Sequence, residues 1–385
     1  MWRRSFRPSV YAGHLLKPDV VLPVSRLDDV FPHGQSLWFD FIRRDLLDQG
    51  GLARLIDESA IRGLTSNPAI FKQAIAGTAL YDDALQAQID AGERDPEALY
   101  EALAIADIQQ AADAFAPLYA QSEGLDGWVS LEVSPTLAHD VEGSVAAAKR
   151  LSAAVNRPNL MIKVPGTRAG VKILPQLLAA GISVNVTLLF GRAAYRAIAD
   201  AWVDGMTQWV KSGGDPKGVE SVASFFVSRI DAAADPKLPK ALQGTTAIAN
   251  ARAAYADFLA LLDTPAAKAL LEQGVRPQRM LWASTGTKNP DYSPTMYLDA
   301  LIGPHTVNTV PPATLDAFRD SGTVTRSLDV DLPAAEQQLA KIAEAGIKLD
   351  DITDQLCIDG IAQFETAYAD LLAAVADKRD RMLAA

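Results

Sequence analysis

The stretch "PNLMIKVPGT", residues 158–167, sets one lysine, Lys163, inside a short apolar run that ends in Pro-Gly. A run of this length bounded by turn residues fits a buried strand. An ammonium group in such a strand is unusual, and the rest of the chain has to account for it. Outward from here the same theme recurs from Gln35 onward: a short apolar run, a polar or Gly/Pro turn, then an Ala/Leu-rich stretch with helical spacing. The spacing predicts strands at Ser36–Asp40, Ile61–Thr65 and Gly127–Val133 before Leu160–Val164. Four more follow at Ile182–Leu189, Ser221–Val227, Met280–Ser284 and Thr306–Val310. Residues 95–119, 144–155 and 193–210 carry apolar side chains at three- and four-residue steps, as helices do.

Strands that alternate with helices make a parallel sheet, because parallel neighbours need a crossover. Eight is the closure number of the (β/α)8 TIM barrel. The main competitor, a doubly wound open sheet, lacks its usual support, since no Gly-x-Gly-x-x-Gly follows the first strand. Residues 31–385 are expected to form a single barrel domain, with a helical tail from Leu332 to Ala385 packed on its outside. Residues 1–30 are expected to be a loosely held arm. They are basic and Pro-containing, without the continuous apolar core of a secretory signal, and Asp19 and the prolines spoil an amphipathic transit helix.

Composition narrows the function. With 385 residues, 49% of them hydrophobic, a large core is available. The formal charge of −11 disfavours nonspecific binding to nucleic acid or anionic membrane, so an anionic ligand needs a local positive pocket. No apolar run approaches a membrane span. The single cysteine, Cys357, forms no intramolecular disulfide and fits a reducing cytoplasm. His14, His33, His139 and His305 are scattered, with no His-x-x-x-His pair, and neither a Walker loop nor a nucleophile elbow is present, so no metal or cofactor is expected.

In a parallel barrel the chemistry sits at the carboxyl ends of the strands. The polar residues predicted there are Asp40, then Thr65, Ser66 and Asn67, then Glu132, Lys163, and Asn185 with Thr187 on one strand face. Ser224 and Arg229, Ser284 and Lys288, and Asn308 and Thr309 complete the set. Each has an ordinary structural reading. Asp40 suits a helix cap, Asn67-Pro68 a turn, Glu132 and Lys163 an interior ion pair, and Ser284 and Lys288 a solvated loop. Together they form two acids, a lysine, amides and a cationic rim. A neutral amine attacks a carbonyl to give a carbinolamine and then a Schiff base, and a desolvated site near other cations favours neutral amines. That chemistry also needs an acid/base to move protons and a second base to break the adjacent carbon–carbon bond. Glu132 and Asp40 are the available carboxylates, and the iminium is the electron sink, so the reaction requires no metal.

"GLTSNPAIF", "MIKVPGT", "GISVNVTLLF", "SFFVSRID", "LWASTGTKNP" and "IGPHTVNTVPPATLDAF" stand in the order found in transaldolases, and residues 34–364 resemble that family. The resemblance is to its longer bacterial branch, which carries the "STGTKNP" turn. It implies a TIM barrel with the Schiff-base lysine on the fourth strand, where Lys163 lies. The implied reaction, in the pentose phosphate pathway, moves a dihydroxyacetone unit from sedoheptulose 7-phosphate to glyceraldehyde 3-phosphate, giving erythrose 4-phosphate and fructose 6-phosphate. By the same resemblance Lys163 forms the imine, Glu132 handles its protons through a water near Thr187, and Asp40 takes the C4 hydroxyl proton. Asn67 and Asn185 bind the three-carbon fragment with Ser224 nearby, and Arg229 with Ser284 holds the phosphate. Many relatives have a second arginine after the seventh strand. Here Lys288 follows that strand instead, as a point charge rather than a planar fork. The implied partners are sugar phosphates, with no nucleic acid or membrane, in a cytoplasmic monomer or homodimer. The alternatives are a Schiff-base aldolase that releases dihydroxyacetone from fructose 6-phosphate, and a catalytically disabled sugar-phosphate-binding barrel.

Overall fold

The computed structural model describes residues 27–384. The arm predicted for residues 1–30 lies, up to residue 26, outside the described residues. Residues 27–30 form a turn that buries Leu27 and Val30 in the core. Eight parallel strands close in sequential order into a barrel. They are β1 (Gln35–Phe39), β2 (Ile61–Thr65), β3 (Trp128–Glu132), β4 (Leu160–Pro165), β5 (Val184–Leu189), β6 (Ser221–Phe226), β7 (Arg279–Ala283) and β8 (Thr306–Val310). Each falls within two residues of its predicted span. The predicted helices appear as Pro96–Gln121, Val141–Val155 and Arg192–Lys211. Asp95 starts the first by accepting a hydrogen bond from the Ala98 N–H at 3.0 Å, with Pro96 in the first turn. Among the described residues no helix is long and apolar enough to cross a membrane.

Alternation along the strands fills the barrel in layers. At the amino end Arg279 donates to Ser36 Oγ at 3.1 Å and pairs with the buried Asp126 at 3.2 Å. Its guanidinium lies 5.8 Å from the ring centre of Trp38, which packs above it. The indole fits because the facing residue on β2 is Gly63: a Cβ there would sit 2.7 Å from the ring. Gly63→Ala is therefore expected to destabilise the fold by about 2 kcal/mol, since a rigid indole has nowhere to retreat. Denaturant midpoints check this, and an unchanged midpoint would show that the ring moves. With this plug below, polar side chains are left for the carboxyl end.

The tail divides into Leu332–Glu344 and the C-terminal helix Leu349–Ala384. Between them Gly346 adopts φ 92°, which a side chain disfavours. The long helix lies against the outer helices, as expected. Tyr368 meets Tyr100 edge-to-face at 5.7 Å and donates to Glu97 at 2.7 Å, and Lys378 reaches Asp82 and the Thr78 carbonyl, both at 2.5 Å. It also does something that the sequence pattern does not predict. At Gly360 it passes close to Leu188 and Arg229, and at Phe364 it enters the cavity at the mouth of the barrel.

Candidate active site

Register brings the central residues together. Glu132 on β3 is paired with Lys163 on β4, and Lys163 with Asn185 on β5. Lys163 is buried, its Nζ donating to the Ser66 carbonyl at 2.8 Å and lying 3.2 Å from Glu132 Oε2. Ser66 is fixed in turn by donating its hydroxyl to the Ser130 carbonyl at 2.8 Å. Burial pushes the Glu132 carboxyl above the usual range; the Lys163 charge and hydrogen bond pull it back, and nearby Asp40 pushes it up again. Burial raises Asp40 too, opposed by a hydrogen bond from the Thr65 hydroxyl and by the Lys163 charge. Two carboxyls shifted upward beside a buried lysine are the pattern that acid/base chemistry needs.

A cavity of about 200 Å³ opens above Lys163. Asp40, Asn67, Thr187 and Ser224 line it with Lys163, and Arg229, Ser284 and Lys288 form its rim. Asp40 is not a helix cap, since the next helix begins at Arg44 with Arg43 at its cap. Asn67 serves two ends. Its Oδ1 caps the helix Pro68–Ala76 by accepting from the Ile70 N–H at 3.0 Å, which leaves the amide NH₂ for the cavity. Arg229 is half-buried, 5.5 Å from the Phe226 ring centre, and burial lowers its pKa. Among the described residues neither Arg229 nor the exposed Lys288 has a hydrogen-bond or ion-pair partner, so the rim holds two unneutralised cations. Ser284 adopts φ 55°, uncommon for a residue with a side chain, and accepts a hydrogen bond at its carbonyl from the Ser228 N–H at 3.0 Å. No group of three or more potential metal ligands occurs among the described residues.

Four predicted residues, Ser66, Glu132, Asn185 and Asn308, lie apart from the cavity. Asn185 is fully buried a layer below it, with Oδ1 accepting from Ser224 at 2.6 Å and Nδ2 donating to Ser130 at 3.2 Å. Its amide orients Ser224 instead of meeting the open space. Glu132 borders a separate void of about 10 Å³ beside Tyr100, Ser134 and Tyr368, close to the room that one water needs. On β8 Thr309 faces the cavity, whereas Asn308 points away and accepts from Thr285 at 2.9 Å. Sequence reasoning missed Phe226 and Phe364 as walls. Phe226 was within reach, because it lies two residues beyond Ser224 on the same strand face. Nothing local in the tail marks Phe364.

The chain matches the family profile described as transaldolase/fructose-6-phosphate aldolase over residues 37–375. A protein of Thiobacillus denitrificans named transaldolase is 46% identical over 354 residues, spanning 90% of this chain and 98% of its own. One of Neisseria gonorrhoeae with the same name is 46% identical over 347 residues, with the same coverages. One of Frankia alni, also so named, is 43% identical over 367 residues, spanning 92% of this chain and 98% of its own.

Proposed function

This chain belongs to the transaldolase/fructose-6-phosphate aldolase family and acts as a transaldolase on sugar phosphates, and we propose that Lys163, Glu132 and Asp40 divide its chemistry between them. The dihydroxyacetone unit passes from sedoheptulose 7-phosphate to glyceraldehyde 3-phosphate, a step of the pentose phosphate pathway. Lys163 attacks the donor C2 carbonyl. Glu132 moves the protons that turn the carbinolamine into an imine, through a water near Thr187, and water leaves. Asp40 then takes the C4 hydroxyl proton, the C3–C4 bond breaks, and its electron pair moves into the iminium to give an enamine. The first aldose departs, and the acceptor aldehyde enters by the reverse of these steps.

The observation that carries this reading is the buried Lys163, in contact with Glu132 at 3.2 Å and within the charge field of Asp40, at the floor of a cavity rimmed by free cations. Asn67 donates to the three-carbon fragment, while Asn185 acts through Ser224. Arg229, Ser284 and Lys288 take the phosphate, Arg229 as a planar fork. The sugar-phosphate substrates and the single cysteine support a cytoplasmic setting.

Borohydride reduction after incubation with fructose 6-phosphate tests the mechanism. A dihydroxyacetone-sized adduct on Lys163 is expected, and its absence in folded protein would overturn the assignment. Product analysis without an acceptor aldehyde then reports how much free dihydroxyacetone escapes. Arg229→Ala should lower kcat/KM for fructose 6-phosphate roughly 10- to 100-fold, mainly through KM, because a charge-assisted bond to phosphate is lost. Unphosphorylated fructose, a far poorer donor, should show little further loss in that variant.

A further inference from the structure

Asp40 immediately follows β1, the strand that lies between β2 and β8. From β2, Thr65 Oγ1 donates to Asp40 Oδ1 at 2.7 Å. From β8, Thr309 Oγ1 lies 2.5 Å from Thr65 Oγ1. A hydroxyl has one proton to give. Thr65 has committed its proton to the carboxylate, so the proton between the two threonines comes from Thr309. The chain therefore runs in one direction, Thr309 to Thr65 to Asp40, across the barrel interior. We propose that Thr309 is a positioning residue for the reaction, polarising Thr65 so that Asp40 is held as a carboxylate with one oxygen occupied and the other turned to substrate. Among the described residues Oδ2 has no hydrogen-bond donor, and it is the oxygen that receives the C4 hydroxyl proton.

Hydrogen bonds in series strengthen one another, by roughly 10–30% per bond. Burial drives Asp40 toward its neutral form, and the Thr65 hydroxyl opposes that. The charged groups that face Asp40 from the rest of the site are Lys163 on β4, Glu132 on β3, and the rim cations Arg229 and Lys288. Thr309→Val removes none of them and keeps the shape of the side chain, so its effect isolates the hydroxyl. Loss of that donor weakens the stabilisation of the carboxylate and raises the Asp40 pKa. The carboxylate is the active form in donor cleavage, so the acid limb of the rate profile moves to higher pH.

The inference rests on Asp40 being the base, and the experiment separates the two claims. kcat and kcat/KM for transfer would be measured from pH 5 to 9 in wild type, Thr309→Val, Thr309→Ser and Asp40→Asn, alongside borohydride trapping and thermal melts. Thr309→Val should lose kcat several-fold and shift the acid limb upward by roughly 0.2–0.6 unit, with imine trapping intact. Thr309→Ser should restore both, because it returns the hydroxyl. If Thr309→Val does not fold, Thr309→Ala is compared with Thr309→Ser in the same way. An acid limb that coincides with wild type, or a serine variant no better than valine, overturns the role of Thr309. Wild-type turnover in Asp40→Asn overturns the base assignment instead.

Discussion

Lys163→Ala loses the covalent route, and turnover is expected to fall roughly 10⁴- to 10⁶-fold, to the level that binding alone supports. No reducible adduct forms with either ketose donor. The physical risk in this variant is folding, because it leaves the buried Glu132 without the ammonium 3.2 Å away. Burial already pushes that carboxyl upward, so without the lysine it takes up a proton instead of remaining an isolated buried charge. The barrel should therefore survive with a lower melting temperature. Lys163→Met keeps the aliphatic stem and should melt closer to wild type while remaining equally inactive. Substantial turnover in a clean preparation of either variant would remove the lysine from the mechanism.

Asp40→Asn should separate two steps that wild type runs together. The imine still forms, because Lys163 and Glu132 are untouched. The C3–C4 bond does not break, because an amide cannot take the C4 hydroxyl proton. Losing a general base costs about 10²- to 10⁴-fold, and the upper half of that range is expected here because bond cleavage depends on it. The diagnostic readout is mass. Reduction of wild type with fructose 6-phosphate traps a three-carbon adduct, whereas the variant should trap the whole uncleaved ketose phosphate on Lys163. A three-carbon adduct from Asp40→Asn at the wild-type rate would assign the base to another group. Thr65 keeps a partner in this variant, since the asparagine carbonyl also accepts its hydrogen bond, so the change tests charge more than packing.

The barrel was legible in the sequence because each strand is a short apolar run cut off by Gly, Pro or a polar turn. Lys163 stood out because nothing in the apolar run around it satisfies an ammonium. Depth was harder to read. Asn185 and Thr187 share a strand face, so period-two reasoning treats them alike, yet one layer separates a residue held by Ser130 and Ser224 from one that meets the cavity. On β8 the neighbours Asn308 and Thr309 are both polar, and composition cannot choose which of them faces inward. The Thr65–Thr309 contact joins residues 244 apart in the chain, beyond the reach of any local pattern. Phe364 is concealed differently, because an amphipathic helix has the same periodicity whether it lies on the flank of a barrel or passes its mouth.

The helix that carries Phe364 follows every strand of the barrel in the order of synthesis. By the time residue 310 has been synthesised, every strand and all three residues of the proposed chemistry already exist. The wall that Phe364 provides, and the close pass of Gly360 by Arg229, do not. A polypeptide stopped before Leu349 would therefore carry a complete reaction centre in an unfinished vessel, open on one side to water. The helix that follows the barrel, more than the barrel itself, closes that side of the cavity above Lys163.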